Sequence, residues 1–530
     1  MRRPSQRRGF LLVIVLIVVM VLALGAYAFS ELMLSHREAT QLSGRQTQCR
    51  AIIDSGVEAA RIFIAQDKLS QIEAGGTYDN PDQFRGVLVV DDADELARGR
   101  FSLIASGVDD QGGLGGIRFG LESESTRLNL NSLLMVEKQV PGGGRKLLMA
   151  LPGCTEEIAD AILDWIDADD EPREYGAEVD YYSGLTPSYA PKNGPLDTVE
   201  ELLLVRGVTP QLLFGQDINR NGMVDPFEQT GGPMTVTTTN QSLSASSLTG
   251  DDSGTITVES DLSRGWSAYL TLYSMERNVN SQGLRRVNLN QTDMAKLYSE
   301  LTAVLPEDMA TFIVAYKQNG PYTGDDEGEA GVTGELDLTK QGGTKLAQVL
   351  DLIGKKTEVT FKGDSEKVVL QSPFSSEIAA MNLYLPLLLD NCTISAAPII
   401  PGRININQAS KTVLAGIPGM TEEVLTELLS RRQFEPTSDM PNRLHETWLM
   451  AEGIVTVEEM RTLMPFVTAG GDVYRAQVVG YYQGGSASAR AEVVWDATTA
   501  NPRILFWRDL SHLGRGFALE TLGLDVAEVP

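Results

Sequence analysis

The sequence predicts an α+β protein: one long amino-terminal helix, an antiparallel sheet whose strands lie at both ends of the globular part, and a large inserted helical domain made of repeated modules. Three observations predict it. An uncharged apolar run, Phe10 to Ser30, passes without proline or paired glycine into a stretch with helical spacing of apolar residues. Short β-branched and aromatic runs bounded by Gly and Asp occur near residues 86–121 and again near 473–507. Between them the pattern Arg-apolar-Asn-apolar-Asn occurs at 127–131, 286–290 and 403–407.

The amino-terminal run makes a helix of about 30 Å, enough to cross the hydrocarbon core of a bilayer. Four arginines (Arg2, Arg3, Arg7 and Arg8) precede Gly9-Phe10. Basic flanks remain cytoplasmic, so the rest of the chain is expected on the outer side of that membrane. A cleaved secretory signal would have a shorter apolar core ending in an A-x-A-like site. Beyond the span, Cys49, Ile52, Ile53, Gly56, Val57, Ala60, Phe63 and Ile64 mark one face, and the helix is expected to run on to Gly75-Gly76.

The net charge is −27, with three cysteines and three histidines. An acidic surface repels nucleic-acid phosphates and favours divalent cations. The cysteines (Cys49, Cys154 and Cys392) are far apart with no C-x-x-C pair, which argues against a disulfide framework and leaves a Cys154–Cys392 pair open. His36, His445 and His512 give little material for zinc or for triad chemistry, and the chain reads as non-enzymatic.

Strands are expected at Gly86–Val90, Gly99–Ile104 and Gly116–Leu121, with Gly112–Gly116 as a loop. No lysine follows those glycines at phosphate-loop spacing. The chain then turns helical. Leu151-Pro152-Gly153 leads into a helix at Ile158–Ile166, capped by Thr155 with Glu156 and Glu157 in the first turn. Ile417-Pro418-Gly419 is likewise followed by Thr-Glu-Glu, and the second copy has Leu305-Pro306-Glu307-Asp308. The paired asparagines are expected to cap local backbone groups. Residues 231–257 read as a connector, Ala268–Tyr273 as a strand, and Asp325–Glu329 as a solvated acidic loop. Val473–Tyr482, Ala489–Trp495 and Ile504–Trp507 read as a closing meander.

The sharpest chemical signal is the run from Asp217 to Glu228. Asp217, Asn219, Asn221, Asp225 and Glu228 supply oxygens at positions one, three, five, nine and twelve; Gly222 stands at six, and Met223 at seven would give only its carbonyl. That is the spacing of a twelve-residue loop wrapping one hard cation, so a structural Ca2+ is expected. A second acidic group, Asp164, Asp167, Asp169 and Asp170 with Glu178 and Asp180, reads either as another calcium site or as an acidic helix end. The Leu-Pro-Gly turns suggest helix-hairpin-helix DNA binding, but the following glutamates would repel the phosphate.

The basic leader, Gly9-Phe10 and the two-part helix resemble a type IV pilin-like signal. That resemblance implies cleavage by a prepilin peptidase between Gly9 and Phe10, N-methylation of Phe10 and a pilin-like helix packed on the sheet. The fifth residue of the matured chain, usually glutamate, is Ile14. An unpaired carboxylate in an apolar segment is costly, and a subunit lacking it cannot neutralise one above it, which suits a filament tip. Asp164-Trp-Ile-Asp-Ala-Asp169, Gly176-Ala-Glu178, Tyr181-Tyr182, Pro191-Lys-Asn-Gly-Pro195 and Arg403-Ile-Asn-Ile-Asn407 then resemble the general secretion pathway protein K family, minor pseudopilins of type II secretion. The family implies calcium binding and a place at the pseudopilus tip, capping or initiating it with I- and J-type partners above the major pseudopilin. It also implies a single-pass protein of the inner membrane, in contact with its lipid, with its bulk in the periplasm. A DNA-binding competence or type IV pilus-like minor pilin is the alternative.

On this reading the chain divides into a leader (1–9), membrane and amphipathic helix (10–75), first part of the sheet (76–125), first module with the calcium loop (126–230), linker and strand (231–284), second module (285–400), third module (401–469) and closing strands (470–530).

Overall fold

One helix, Arg8–Ile64, forms the spine of the molecule in the computed structural model, which describes residues 8–226, 228, 235–236, 256–257, 262–363, 365–485 and 487–524. Arg2, Arg3 and Arg7 and most of the connector 231–257 lie outside the described residues. Among the described residues this is one helix, near the amino terminus, long and apolar enough to cross a membrane. Its large apolar residues from Phe10 to Leu34 are all exposed. From Cys49 onward one face is buried: Cys49, Ile52, Ile53, Val57, Ala60, Phe63 and Ile64.

The spine stops at Ile64, short of the expected Gly75-Gly76, and restarts as Lys68–Glu73. Asp67 causes the break. Its carboxylate accepts from the Ser70 amide at 3.0 Å and the Ser70 hydroxyl at 2.6 Å, a local bond that competes with helix continuation.

The buried face rests on an antiparallel sheet ordered Val87–Val90, Gly99–Val108, Val473–Tyr482, Ser488–Asp496 and Arg503–Asp509. Leu114–Phe119 pairs with the far half of the second strand, taking in two of the glycines expected in a loop. Alternation decides what each side of the sheet touches. Ala476, Val478 and Tyr482 join Phe101 and Leu103 under the spine, whereas Val479 and Tyr481 face a second small core with Ile104, Phe517 and Leu522. Each large side chain so buried contributes about 1.5–3 kcal/mol. Helix and sheet approach closely where side chains are missing. A β-carbon on Gly480 would lie 2.6 Å from the Cys49 carbonyl, and one on Gly56 would lie 2.8 Å from Val478.

The helical insertion is thus spliced between two neighbouring strands, and its three modules share one construction. Each Arg-apolar-Asn-apolar-Asn run contributes a two-residue strand with a parallel partner from farther along the chain, which for the first module lies in the segment 231–284. The pairs are Leu128–Asn129 with Leu270–Thr271, Val287–Asn288 with Cys392–Thr393, and Ile404–Asn405 with Val467–Thr468. The expected strand Ala268–Tyr273 shrinks to Leu270–Thr271. Inside each closure two helices meet at a tight turn: Gly143–Met149 and Glu156–Ile166, Met294–Thr302 and Glu307–Asn319, Lys411–Ala415 and Glu422–Arg431. Thr155 and Thr421 cap the second helices through the amides of Ile158 and Val424.

The asparagines divide their work. Asn129, Asn288 and Asn405 each accept from the amide two residues on, the local role expected. Asn131, Asn290 and Asn407 instead reach distant main chain, at Leu196, Leu346 and Arg443. Cys49, Cys154 and Cys392 are all free and buried, so no Cys154–Cys392 bond forms.

Candidate functional site

The first module gathers buried carboxylates around the end of the helix Glu156–Ile166. Asp164 is fully buried on that helix, and Asp167 follows as its extended C-cap. Asp164 accepts from the amides of Arg173 (3.2 Å) and Ala177 (2.9 Å), and the Arg173 guanidinium lies between Asp164, at 2.6 Å, and Asp167. The chain folds this tightly because Gly176 lacks a side chain: a β-carbon there would lie 1.7 Å from the Asp164 carboxylate.

Glu178 closes the group. Its side chain is buried, yet neither carboxylate oxygen has a hydrogen-bond partner; Asp167 Oδ1 and Asn193 Oδ1 are also buried without one. Such oxygens cost free energy unless something positive meets them. Burial, and then the charges of Asp164, Asp167, Asp170 and Asp169, push the Glu178 carboxyl up to about 7. Asp164 and Asp167 are also raised by burial, which outweighs Arg173. Asp169 and Asp180 are exposed. Among the described residues no three His, Cys, Asp or Glu side chains stand in ligand geometry around one point; the cation between Asp164 and Asp167 is Arg173. The orphaned oxygens of Glu178, Asp167 and Asn193 nevertheless have the chemistry a hard cation selects. Asn193 was not legible as a member of the group. It adopts a left-handed conformation (φ 48°) and donates to the Asp169 carbonyl and the Asp170 carboxylate.

In the stretch that begins at Asp217, Gly222 makes a sharp turn at φ 79°. Asp217 accepts from the amides of Asn221 (3.1 Å) and Gly222 (2.8 Å), and Glu228 from those of Asn219 (3.0 Å) and Asp225 (2.9 Å). The Asn219 and Asn221 amides both donate to Asp225 Oδ2, at 2.7 and 3.0 Å. The Asp217 and Glu228 carboxylates are thus satisfied by main-chain amides, and Asp225 by the two asparagine side chains. Burial raises the Asp217 carboxyl to about 6, with Glu228 adding to the shift against the amide bonds that lower it. Met223 packs its side chain on the sheet core of Ile104 and Val479. The loop is also bonded to the sheet: Gln477 donates to the Arg220 carbonyl at 2.6 Å, Arg490 donates to the Asn219 carbonyl, and Asn221 donates to the Gly516 carbonyl at 2.7 Å.

The two acidic groups lie on separate parts of the chain and share no side chain. Phe10 is exposed near the start of the spine, beside Gly9 in the same helix. At the turns after Gly153 and Gly419, exposed Glu156-Glu157 and Glu422-Glu423 open the helices, placing carboxylates where a helix-hairpin-helix would hold a phosphate.

Residues 126–214 match the family described as Type II secretion system (T2SS), protein K. Over 60 residues the chain is 40% identical to the putative type II secretion system protein K of Escherichia coli (strain K12), covering 11% of this chain and 18% of that protein. Over 57 residues it is 46% identical to type II secretion system protein K of Aeromonas hydrophila, covering 11% and 17%. The matched stretches thus span less than a fifth of the length of either relative. A chain of the solved GspK-GspI-GspJ complex from enterotoxigenic Escherichia coli aligns over 90% of this chain and 98% of its own, at 10% identity and a TM-score of 0.31, too loose a likeness to bear on the fold.

Proposed function

We propose, from the premise that residues 126–214 are a domain of the type II secretion protein K family, that the whole chain is a minor pseudopilin serving protein export through assembly and not catalysis. The observation that carries this reading is the spine. One unbroken helix, Arg8–Ile64, leaves its apolar first half bare and buries one face of its second half on a sheet. An anchored head of this form can wait in a bilayer and then pack among other apolar helices. Prepilin peptidase cleaves after Gly9, Phe10 becomes the methylated amino terminus, and the head lies in the periplasm above an inner-membrane span. Ile14 leaves no carboxylate to pair with a subunit above, so the chain stands at the filament tip with I- and J-type pseudopilins over the major pseudopilin.

Calcium stabilises the head in this proposal. Glu178, Asp164, Asp167 and Asn193 would hold one ion and the Asp217–Glu228 loop another. Bound ions would supply positive charge to the orphaned oxygens of Glu178, Asp167 and Asn193 and to loop carboxylates that otherwise meet only amides.

The test is mass spectrometry of the chain recovered from the host envelope, together with copurification of candidate I- and J-type subunits and a secretion assay in a strain lacking the chain. The reading requires an amino terminus at N-methyl-Phe10, copurifying partners and lost export. A chain beginning at Met1, or normal export without it, would sink it.

A further inference from the structure

The apolar interior of the molecule is divided. One cluster, from Leu128 to Val467, runs through all three modules, while the spine and the sheet keep two clusters of their own. Leu114 from the sheet and Met223 from the first module reach across the boundary as partly buried residues. Two bodies that do not share a core are free to move against each other unless the contact between them is broad and apolar.

The chain passes between the two bodies at a narrow neck. Glu122–Ser123, on the way in, pairs with Tyr474–Arg475, on the way out. The two crossings lie side by side because Gly471 has no side chain: a β-carbon there would lie 2.5 Å from Ser123 Oγ and 2.6 Å from Ser125 Oγ. A β-carbon on the preceding Gly470 would meet nothing within 4 Å, so that residue keeps the backbone freedom a pivot needs. A cleft of about 580 Å³ opens beside the neck, lined by Ser123, Gly470 and Gly471 with Tyr474 of the sheet and Leu383 of the second module.

Away from the neck, charge holds the first module to the closing strands. Glu200 pairs with Arg508 at 2.5 Å, and Arg220 stands 3.7 Å from the same carboxylate. The Glu200 and Arg508 side chains are 31% and 27% exposed, so salt reaches the pair. The third module is held differently. Phe434 stacks on Tyr78 with ring centres 4.8 Å apart, and Glu435 accepts from the Tyr78 amide at 3.1 Å. Stacked rings lose little to salt.

We propose that the three modules form one rigid body hinged at this neck, with the Glu200–Arg508 pair as its clasp. When the clasp opens, the first module lifts from the strands Val473–Tyr482, Ser488–Asp496 and Arg503–Asp509, while the Tyr78–Phe434 stack keeps the third module in place. The spine and sheet stay together throughout, so the insertion tilts as a unit relative to the membrane helix.

The experiment measures distances between paired spin labels on the full chain in lipid nanodiscs, with chelator present throughout. The native thiols are buried, so labels go to introduced cysteines at exposed positions: Leu88→Cys on the sheet, Met135→Cys in the first module and Leu383→Cys in the second. Glu200→Arg places a further guanidinium beside those of Arg220 and Arg508 and should add a second, longer distance between the labels at 88 and 135. The parent chain should move the same way between about 0.05 and about 0.5 M sodium chloride. The distance between the labels at 135 and 383, both within the insertion, should not change, and Glu335→Arg, at an exposed pair with Lys362, should leave every distance as it was. A single, unmoved distance between 88 and 135 in both the variant and high salt would overturn the hinge. So would a change between 135 and 383, which would mean that the modules come apart instead of tilting together.

Discussion

Asn131 holds Leu196 by both of its main-chain groups, donating to the carbonyl at 3.1 Å and accepting from the amide at 2.8 Å. The second module repeats the grip between Asn290 and Leu346, at 2.9 Å in both directions. In the third, Asn407 donates to Arg443 and Ala469 and accepts from the Trp448 indole. One amide side chain thus ties the start of each module to a segment far along the chain, where aspartate or leucine of similar size would leave a donor or acceptor unmet. Asn131→Ala or Asn290→Ala should each cost about 1–3 kcal/mol of module stability, read as a lower urea midpoint for that module's unfolding.

The closeness of spine and sheet gives a second prediction. Gly480→Ala places a methyl against the Cys49 carbonyl and Ile53, where backbone cannot yield cheaply. The expected loss is about 1–3 kcal/mol, with protease sensitivity rising at residues 49–64 while the modules remain protected. A variant as resistant as the parent chain would show that the helix is free to lift.

Chelator should expose a pH dependence with a definite sign. Without an ion, burial and neighbouring acids hold Glu178 near 7 against an ordinary 4.5, so between those values the folded chain keeps a proton that the unfolded chain has released. The contribution of Glu178 to stability in chelator is therefore fully present below the ordinary value and is lost as pH rises through about 7. Saturating calcium should flatten that fall, and Glu178→Gln should remove the part of the slope centred near 7 and weaken the response to calcium at this site, leaving the share of Asp164, Asp167 and Asp217. Differential scanning fluorimetry at stepped pH, with and without chelator, reads all three. Calorimetry on Asp217→Ala and Glu228→Ala should show loss of the second site alone.

Burial pushes the Cys154 and Cys392 thiols up to about 12 and the Cys49 thiol to about 11. Native protein should take up no maleimide at any of the three, and full labelling should appear only on unfolding, as mass spectrometry will show.

Ile14→Glu restores a carboxylate to the apolar run of the spine. In the proposed assembly it should move the subunit from the tip or reduce secretion, because the added charge needs a partner above it. Unchanged position and export would count against Ile14 as the determinant.

Much of this architecture could be read from residue order. Val473–Tyr482 and Gly99–Ile104 announced themselves through β-branched alternation, and Cys49 to Ile64 through helical spacing, because burial on one face imposes a period. The three Arg-Asn-Asn runs exposed the repetition of modules. What stayed hidden was made by tertiary contact. A two-residue strand such as Leu270–Thr271 is too short to carry a period, and it exists only because Leu128–Asn129 lies beside it. The spine's end was misplaced because Asp67 looks like any polar residue until its carboxylate turns back on Ser70. The acidic group near Asp164 was visible as composition. That Arg173 would lie among those carboxylates, and that Asn193 would join them from a left-handed turn, depended on Gly176 letting the chain pass.

Leu103 and Val478 are cross-strand neighbours at the centre of the sheet, yet all three modules separate them in synthesis. At about 5–20 residues per second, a ribosome delivers the second of these strands roughly twenty to seventy-five seconds after the first. Throughout that interval the greasy side of the spine from Cys49 to Ile64 has half a floor, and it stays open to the wrong companion until the second strand arrives.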